Sequence, residues 1–267
     1  MTWKSFYKTG EKLDYHSFEW RNHIDDMVFG PDSRESEQLK ELLTRYPVQT
    51  ALDVACGNGD TAIFLAAMGK NVTAMDQDIS RIKRVHLKSI LAGVQLETAC
   101  GDMRDLSSVY RHKCNLIMCL QNSLSRLIDE ADIWGTLAQM YLALEPGGLL
   151  VIQMFDYDRL FQEKRPSFSE ICGYNSELGV KTFFEYERNK SNAKFIFEVS
   201  SQYSAGRKAD RIVFPVRPIF QKELDMWLAE LGFRKLDNCE EVKGSYISGE
   251  TWQTVTAAFR PGVTDNH

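Results

Sequence analysis

The chain is expected to fold as an α/β protein: a doubly wound, mostly parallel sheet of seven strands, with an antiparallel β insertion and an N-terminal lid. Three observations predict this. From Thr50 to Phe155, short apolar runs alternate with stretches of helical period, which implies parallel strands joined by crossover helices. The run Asn115–Leu120 is apolar after its first residue and reads as a central strand covered on both faces. After Tyr157 the rhythm changes to strands separated by turns, with no helix between them.

The elements follow in order. Residues 1–30 hold many aromatics and charges without a clean period, and Gly30-Pro31-Asp32 breaks the chain. Ser33 can cap a helix to about Tyr46, with Glu35 and Glu37 near its positive end. Thr50–Ala55 is a buried strand. A glycine loop leads into a helix at Thr61–Met68, with Gly69 as its stop. Asn71–Met75 is the second strand, Ser80–Ala92 a helix and Val94–Ala99 the third strand. A long helix, Asp129–Leu144, ends at Pro146-Gly147-Gly148, which turns the chain into a fifth strand, Leu149–Phe155. Lys181–Arg188, Lys194–Tyr203 and Asp210–Val216 form a meander. The helix Gln221–Leu231 carries Leu224, Trp227, Leu228 and Leu231 on one face, and two strands close the chain near Phe233–Val242 and Thr251–Phe259. This divides the molecule into a lid and helix (1–45), a core (46–160 with 219–260) and an insertion (161–218).

Composition narrows the function classes. With 43% hydrophobic and 26% charged residues in 267, the chain can bury a sizeable core and is neither collagen-like nor disordered. Its net charge of −5 argues against a nucleic-acid partner. Arg81, Lys83, Arg84 and Lys88 are the best candidate for a local basic patch, and their spacing reads as a solvated helix face. No apolar run is long enough to span a membrane and no signal peptide opens the chain. The six cysteines form no Cys-x-x-Cys pair and the five histidines are scattered, so a cytoplasmic protein with reduced thiols and no metal site is expected, as a monomer or homodimer. Cys119 reads as core.

The strongest local signal is Leu52-Asp53-Val54-Ala55-Cys56-Gly57-Asn58-Gly59-Asp60, a buried strand running into a two-glycine turn and a helix. Backbone turning so tightly against a ligand leaves no room for Cβ. Gly57 to Ala62 also satisfies a loose dinucleotide pattern, a weak signal alone. Asp76 ends the second strand, nineteen positions after Gly57, where an acid can accept hydrogen bonds from both hydroxyls of a ribose. Asp102 follows the third strand and can accept from an adenine amino group while Met103 packs on the ring; the plain alternative is a turn or cap residue. Asp53 and Asp60 would put like charge beside a pyrophosphate. A cofactor with a cationic ammonium and no phosphate suits them better, which points to S-adenosylmethionine.

Thr50 to Asp158 resembles the core of class I S-adenosylmethionine-dependent methyltransferases, whose fold is Rossmann-like. The resemblance rests on the glycine loop, Asp76, Gly101 to Leu106 and the turn at Leu144 to Leu149, and covers about two-thirds of the chain. Asp60 departs from it, standing where the motif often has a third glycine. Gln121-Asn122-Ser123 and Asp156-Tyr157-Asp158-Arg159-Leu160 are similar to small-molecule enzymes related to glycine/sarcosine N-methyltransferases. The motifs of nucleobase and glutamine methyltransferases are absent. The resemblance implies cofactor contacts at Asp53, Ala55, Gly57, Gly59, Asp76, Gln77, Asp102, Met103, Leu120 and Trp20.

The fourth and fifth strands end at one rim, so Leu120, Gln121, Asn122, Asp156 and Tyr157 should face the reacting centre. Tyr157 can orient the nucleophile or form a wall; Asn122 and Tyr15 are the other catalytic candidates. Tyr15, Trp20 and Arg21 would lie on the lid. Gln121 and Arg217 are the candidate substrate ligands, Arg217 for a carboxylate. No acid–base pair announces itself, which favours an amine or an already acidic oxygen on a small-molecule acceptor. The competing readings are a non-catalytic S-adenosylmethionine-binding protein, a nucleic-acid methyltransferase and an NAD-dependent oxidoreductase.

Overall fold

A computed structural model describes residues 41–163, 167–172, 178–186, 193–201, 210–236 and 253–262. The first part of the chain builds β1 (Thr50–Val54), α1 (Asp60–Ala67), β2 (Asn71–Asp76), α2 (Ile79–Ala92), β3 (Glu97–Cys100), α3 (Leu106–Val109), β4 (Cys114–Cys119), α4 (Glu130–Ala143), β5 (Leu144–Phe155) and α5 (Tyr157–Glu163). Four strands follow: β6 (Ser167–Cys172), β7 (Leu178–Tyr186), β8 (Ala193–Ser201) and β9 (Asp210–Val216). The chain ends with α6 (Gln221–Glu230), β10 (Arg234–Lys235) and β11 (Gln253–Phe259).

Seven strands form one sheet in the order β3-β2-β1-β4-β5-β11-β10. Strands β1 to β5 run parallel, and β11 is antiparallel to both its neighbours. Having built β1, β2 and β3 outward, the chain crosses back to lay β4 on the other side of β1, so the sheet has a switch point between β1 and β4. Both faces are covered, which is why β1 and β4 read as continuous apolar runs. Ala62 and Leu65 of α1 and Val85 of α2 pack on Ala51, Val72, Ala74, Leu116 and Met118. On the other face, Ile133, Leu137 and Met140 of α4 and Leu224, Trp227 and Leu228 of α6 pack on Leu52, Ile117, Cys119 and Ile152. Cys119 is fully buried in this core. No helix among the described residues is long and apolar enough to cross a membrane.

Several elements differ from expectation: β3 begins at Glu97 rather than Val94, and the four-residue α3 was not foreseen. β5 begins at Leu144 rather than Leu149: Leu144 pairs with Cys114 and Leu149 with Leu116, so Glu145 to Gly148 form a bulge inside the strand. Helix α5 has only seven residues, too few to show a period, although Tyr157, Leu160 and Phe161 are buried at helical spacing. The second sheet has four strands, in the order β6-β7-β8-β9. The additional β6 is an edge strand with an irregular register near Ser167, which breaks its alternation. The helix expected from Ser33 is described only from residue 41, where it runs to Arg45.

The glycine loop rests directly on α2. Gly59 has φ 72°, and a Cβ there would stand 2.6 Å from a Val85 methyl. Gly69 has φ 78° with open space around the same position. Gly59→Ala should therefore cost about 2–4 kcal/mol, from left-handed strain plus overpacking. Gly69→Ala should cost about 1–2 kcal/mol, from strain alone. Urea titration of the two variants checks the difference, and Val85→Ala should relieve only the first.

Candidate active site

The carboxyl ends of β1 and β4 open into a cavity of about 850 Å³, with β2 and β3 on one side and Phe214 of β9 on its wall. The backbone at this rim is strained. Ala55 (φ 57°), Gln121 (φ 54°) and Asn122 (φ 62°) are non-glycine residues in the left-handed region, a conformation that costs each about 1–2 kcal/mol. Backbone and buried amide partners hold it. Cys56 N–H donates to the Met75 carbonyl (2.9 Å). Gln121 N–H donates to Gln153 Oε1 (3.0 Å) and Asn122 N–H to the Gln153 carbonyl (3.0 Å). Gln153 is itself buried and donates from Nε2 to Gln253 Oε1 on β11 (2.9 Å).

Among the described residues, seven aspartates and three arginines line the cavity, so its field is acidic. Burial, then the neighbouring Asp76, pushes the Asp53 carboxyl up to about 7, against the opposing backbone hydrogen bond from Ala62. Asp60 adds to the rise. Asp76 accepts from Gly57 N–H (3.0 Å) on one oxygen and Asp78 N–H (3.0 Å) on the other. Burial raises its pKa while those bonds and Arg81 oppose the rise. Asp102 caps the turn after β3 and is held by Arg104, whose hydrogen bonds lower its pKa; Arg104 also reaches Asp132 (3.2 Å).

These residues fit an adenosine with a cationic tail. Each Asp76 oxygen has one backbone donor and capacity for another, as two ribose hydroxyls require. Asp53 is a buried carboxylate made costly by a second one, a place that an ammonium relieves and a pyrophosphate worsens. Residues 51–148 match the family model described as a methyltransferase domain. The chain is a class I S-adenosylmethionine-dependent methyltransferase.

The methyltransferase is 28% identical to the glycine/sarcosine N-methyltransferase of Halorhodospira halochloris, over 89% of this chain and 84% of the relative. Its fold matches that of an S-adenosylmethionine-dependent methyltransferase from Clostridium acetobutylicum (TM-score 0.71, 18% identity, 91% of this chain and 98% of that one). It also matches CalS10 of Micromonospora echinaspora, an amino pentose methyltransferase solved with S-adenosylmethionine bound (TM-score 0.62, 17% identity, 94% and 98%).

Of the residues singled out in the sequence, Asp53, Ala55, Gly57, Asp76, Gln77, Asp102, Met103, Leu120 and Gln121 all line the cavity. Gly59 does not; its missing side chain faces Val85, so helix packing demands the glycine. Asn122 and Tyr157 are also absent from the wall. Both are buried, and the Tyr157 hydroxyl donates to Asn122 Oδ1 (3.0 Å), which also accepts from Phe155 N–H (3.2 Å). Burial pushes the Tyr157 phenol well above its ordinary value. The pair buttresses the strained turn and is not placed to touch reacting atoms.

Arg217 is likewise misplaced as a carboxylate ligand. It pairs with Glu223 (2.6 Å) and Glu130 (2.9 Å) and stacks over Trp227, away from the cavity wall. Asp156 and Asp158 serve helix ends: Asp156 accepts from Arg159 N–H and Asp158 from Gln221 N–H at the start of α6. Tyr15, Trp20 and Arg21 lie outside the described residues. Sequence reasoning quoted Ser123 only within a motif and did not name it, Arg126 or Phe214 as site residues. The first two follow the fourth strand closely and were within reach; Phe214 comes from the second sheet and carried no signal.

Asp53→Asn separates charge from shape. A raised carboxyl pKa means the folded chain loses stability as pH rises from about 4 to about 7, and no further above that. The variant lacks this loss, so its stability relative to the parent should climb over that window and level off above it. Its affinity for S-adenosylmethionine at pH 8 should fall about tenfold or more, from loss of a charge-assisted contact. Thermal unfolding across pH, with calorimetry, measures both. Tyr157→Phe should cost about 0.5–1.5 kcal/mol of stability and leave S-adenosylhomocysteine affinity within about twofold, because the hydroxyl lies behind the wall.

Proposed function

We propose that the methyltransferase methylates the nitrogen of a small amine that carries an anionic group. The wall at the end of β4 carries this reading. Gln121, Ser123, Arg126, Leu127, Ile128 and Phe214 line it, and no histidine, lysine or tyrosine is among the described lining residues. When bound, S-adenosylmethionine supplies a methyl group on sulfur that is already a good leaving group. What remains for the protein is proximity and alignment. An amine that arrives deprotonated needs no base, whereas an alcohol does.

The strained turn presents Gln121 and Ser123 to the acceptor's side of the cavity. Arg126 sets a cation there, its guanidinium 4.5 Å from the centre of the Phe214 ring. That contact links the turn after β4 to β9, and supports assigning β6–β9 as a substrate cap. Thiol chemistry has no place in this reading: burial pushes Cys119 up to about 12 and Cys56 well above its ordinary value. The N-methyltransferase relatives agree with an amine.

Turnover with a panel of glycine, sarcosine, ethanolamine, catechol and an aliphatic alcohol tests the proposal, with product identified by mass. The expected result is N-methyl product from the amino acids, weaker turnover of ethanolamine and none from catechol or the alcohol. Arg126→Met should raise KM for the amino acids about tenfold, the order expected for losing one charged hydrogen bond, with a smaller change for ethanolamine. Methylated catechol without methylated amine would sink the reading.

A further inference from the structure

The basic cluster Arg81, Lys83, Arg84 and Lys88 was expected to be a solvated helix face. Only Lys83 is exposed. The other three turn toward the glycine loop, and with Val85 they form one stripe of α2 at helical spacing. Arg84 Nη1 donates to Asn58 Oδ1 (2.8 Å). Lys88 Nζ donates to the Asn58 carbonyl (3.2 Å) and pairs with the Asp60 carboxylate. Gly59 lies against Val85, and Gly57 lies beside the Arg81 guanidinium. The helix behind this stripe is itself well anchored: Asp78 caps its start and Gly93 its end.

We propose that Lys88 and Arg84 are positioning residues for the methyl donor, stapling the loop 57–60 to α2 in its binding shape before the ligand arrives. Gly57, Asn58 and Asp60 all line the cavity, so the staple acts on groups that meet the ligand. A loop ordered in advance removes part of the entropy cost of binding. Lys88 also answers the one departure in the motif. Asp60 stands where a glycine is common, and its charge would otherwise stand uncompensated near Asp53. The Lys88 and Asp60 side chains remain 34% and 38% exposed, so this pair contributes little to global stability. Its effect is local, on the loop.

Calorimetric titration of the full chain with S-adenosylhomocysteine tests this, alongside thermal unfolding. Lys88→Met should weaken binding about five- to twentyfold, with an unfolding midpoint near the parent's, and Lys88→Arg should bind within about twofold of the parent. In an Asp60→Asn background the Lys88→Met loss should shrink to about threefold or less, since half of the staple is already gone. The parent's affinity should fall more steeply with salt than that of Lys88→Met. If Lys88→Met binds like the parent, or loses as much affinity with Asp60→Asn as without it, the proposal fails. Should Lys88→Met not fold, Arg84→Gln tests the Asn58 side of the staple. A three- to tenfold loss there, on the order of one hydrogen bond to a charged group, supports the proposal, and unchanged affinity overturns it.

Discussion

Everything at the site depends on how the backbone leaves β1 and β4. These neighbours run in the same direction, yet their chains depart to different sides of the sheet, which opens a gap at their carboxyl ends. To use that gap, the chain must turn more sharply than ordinary residues allow, and it does so at Ala55, Gln121 and Asn122. Such strain persists only where the surroundings over-determine it. Here the constraint comes from Gln153, which meets two successive backbone N–H groups, and from the Tyr157–Asn122 contact beneath the turn. The polar residues buried behind the wall therefore set its shape.

On this scaffold the ligand's chemistry is selected by charge. Burial and the neighbouring Asp76 raise the pKa of Asp53, and a single lysine answers Asp60 from outside the cavity. The arrangement is unfavourable until a cation arrives. That fits an ammonium and sulfonium and works against a dinucleotide phosphate, so the glycine pattern that two cofactor classes share is resolved by the acids around it.

The core sheet was legible because β1, β2 and β4 are buried on both faces, and β1 and β2 are bounded by a glycine loop and an aspartate at the rim. The cofactor side was legible for the same reason, since Asp53, Asp76 and Asp102 occupy strand ends that register alone brings together. Residues whose roles depend on side-chain direction were not. Asn122 sits between two wall residues, yet it and Tyr157 lie buried behind the wall, and Arg217 is claimed by Glu223 and Glu130, a pairing invisible along the chain. The bulge at Glu145 to Gly148 reads in sequence as a stop, although β5 runs through it. Phe214 illustrates the hardest case: a wall residue supplied by a separate sheet.

The bond from Gln153 to Gln253 joins residues 100 positions apart. Strand β11, which follows β10 in sequence, inserts between β5 and β10. During synthesis from the N-terminus, the glycine loop, Asp76 and Asp102 emerge long before the strand that steadies the turn opposite them. The methyl-donor side of the cavity thus precedes, in time, the strand that steadies its opposite wall.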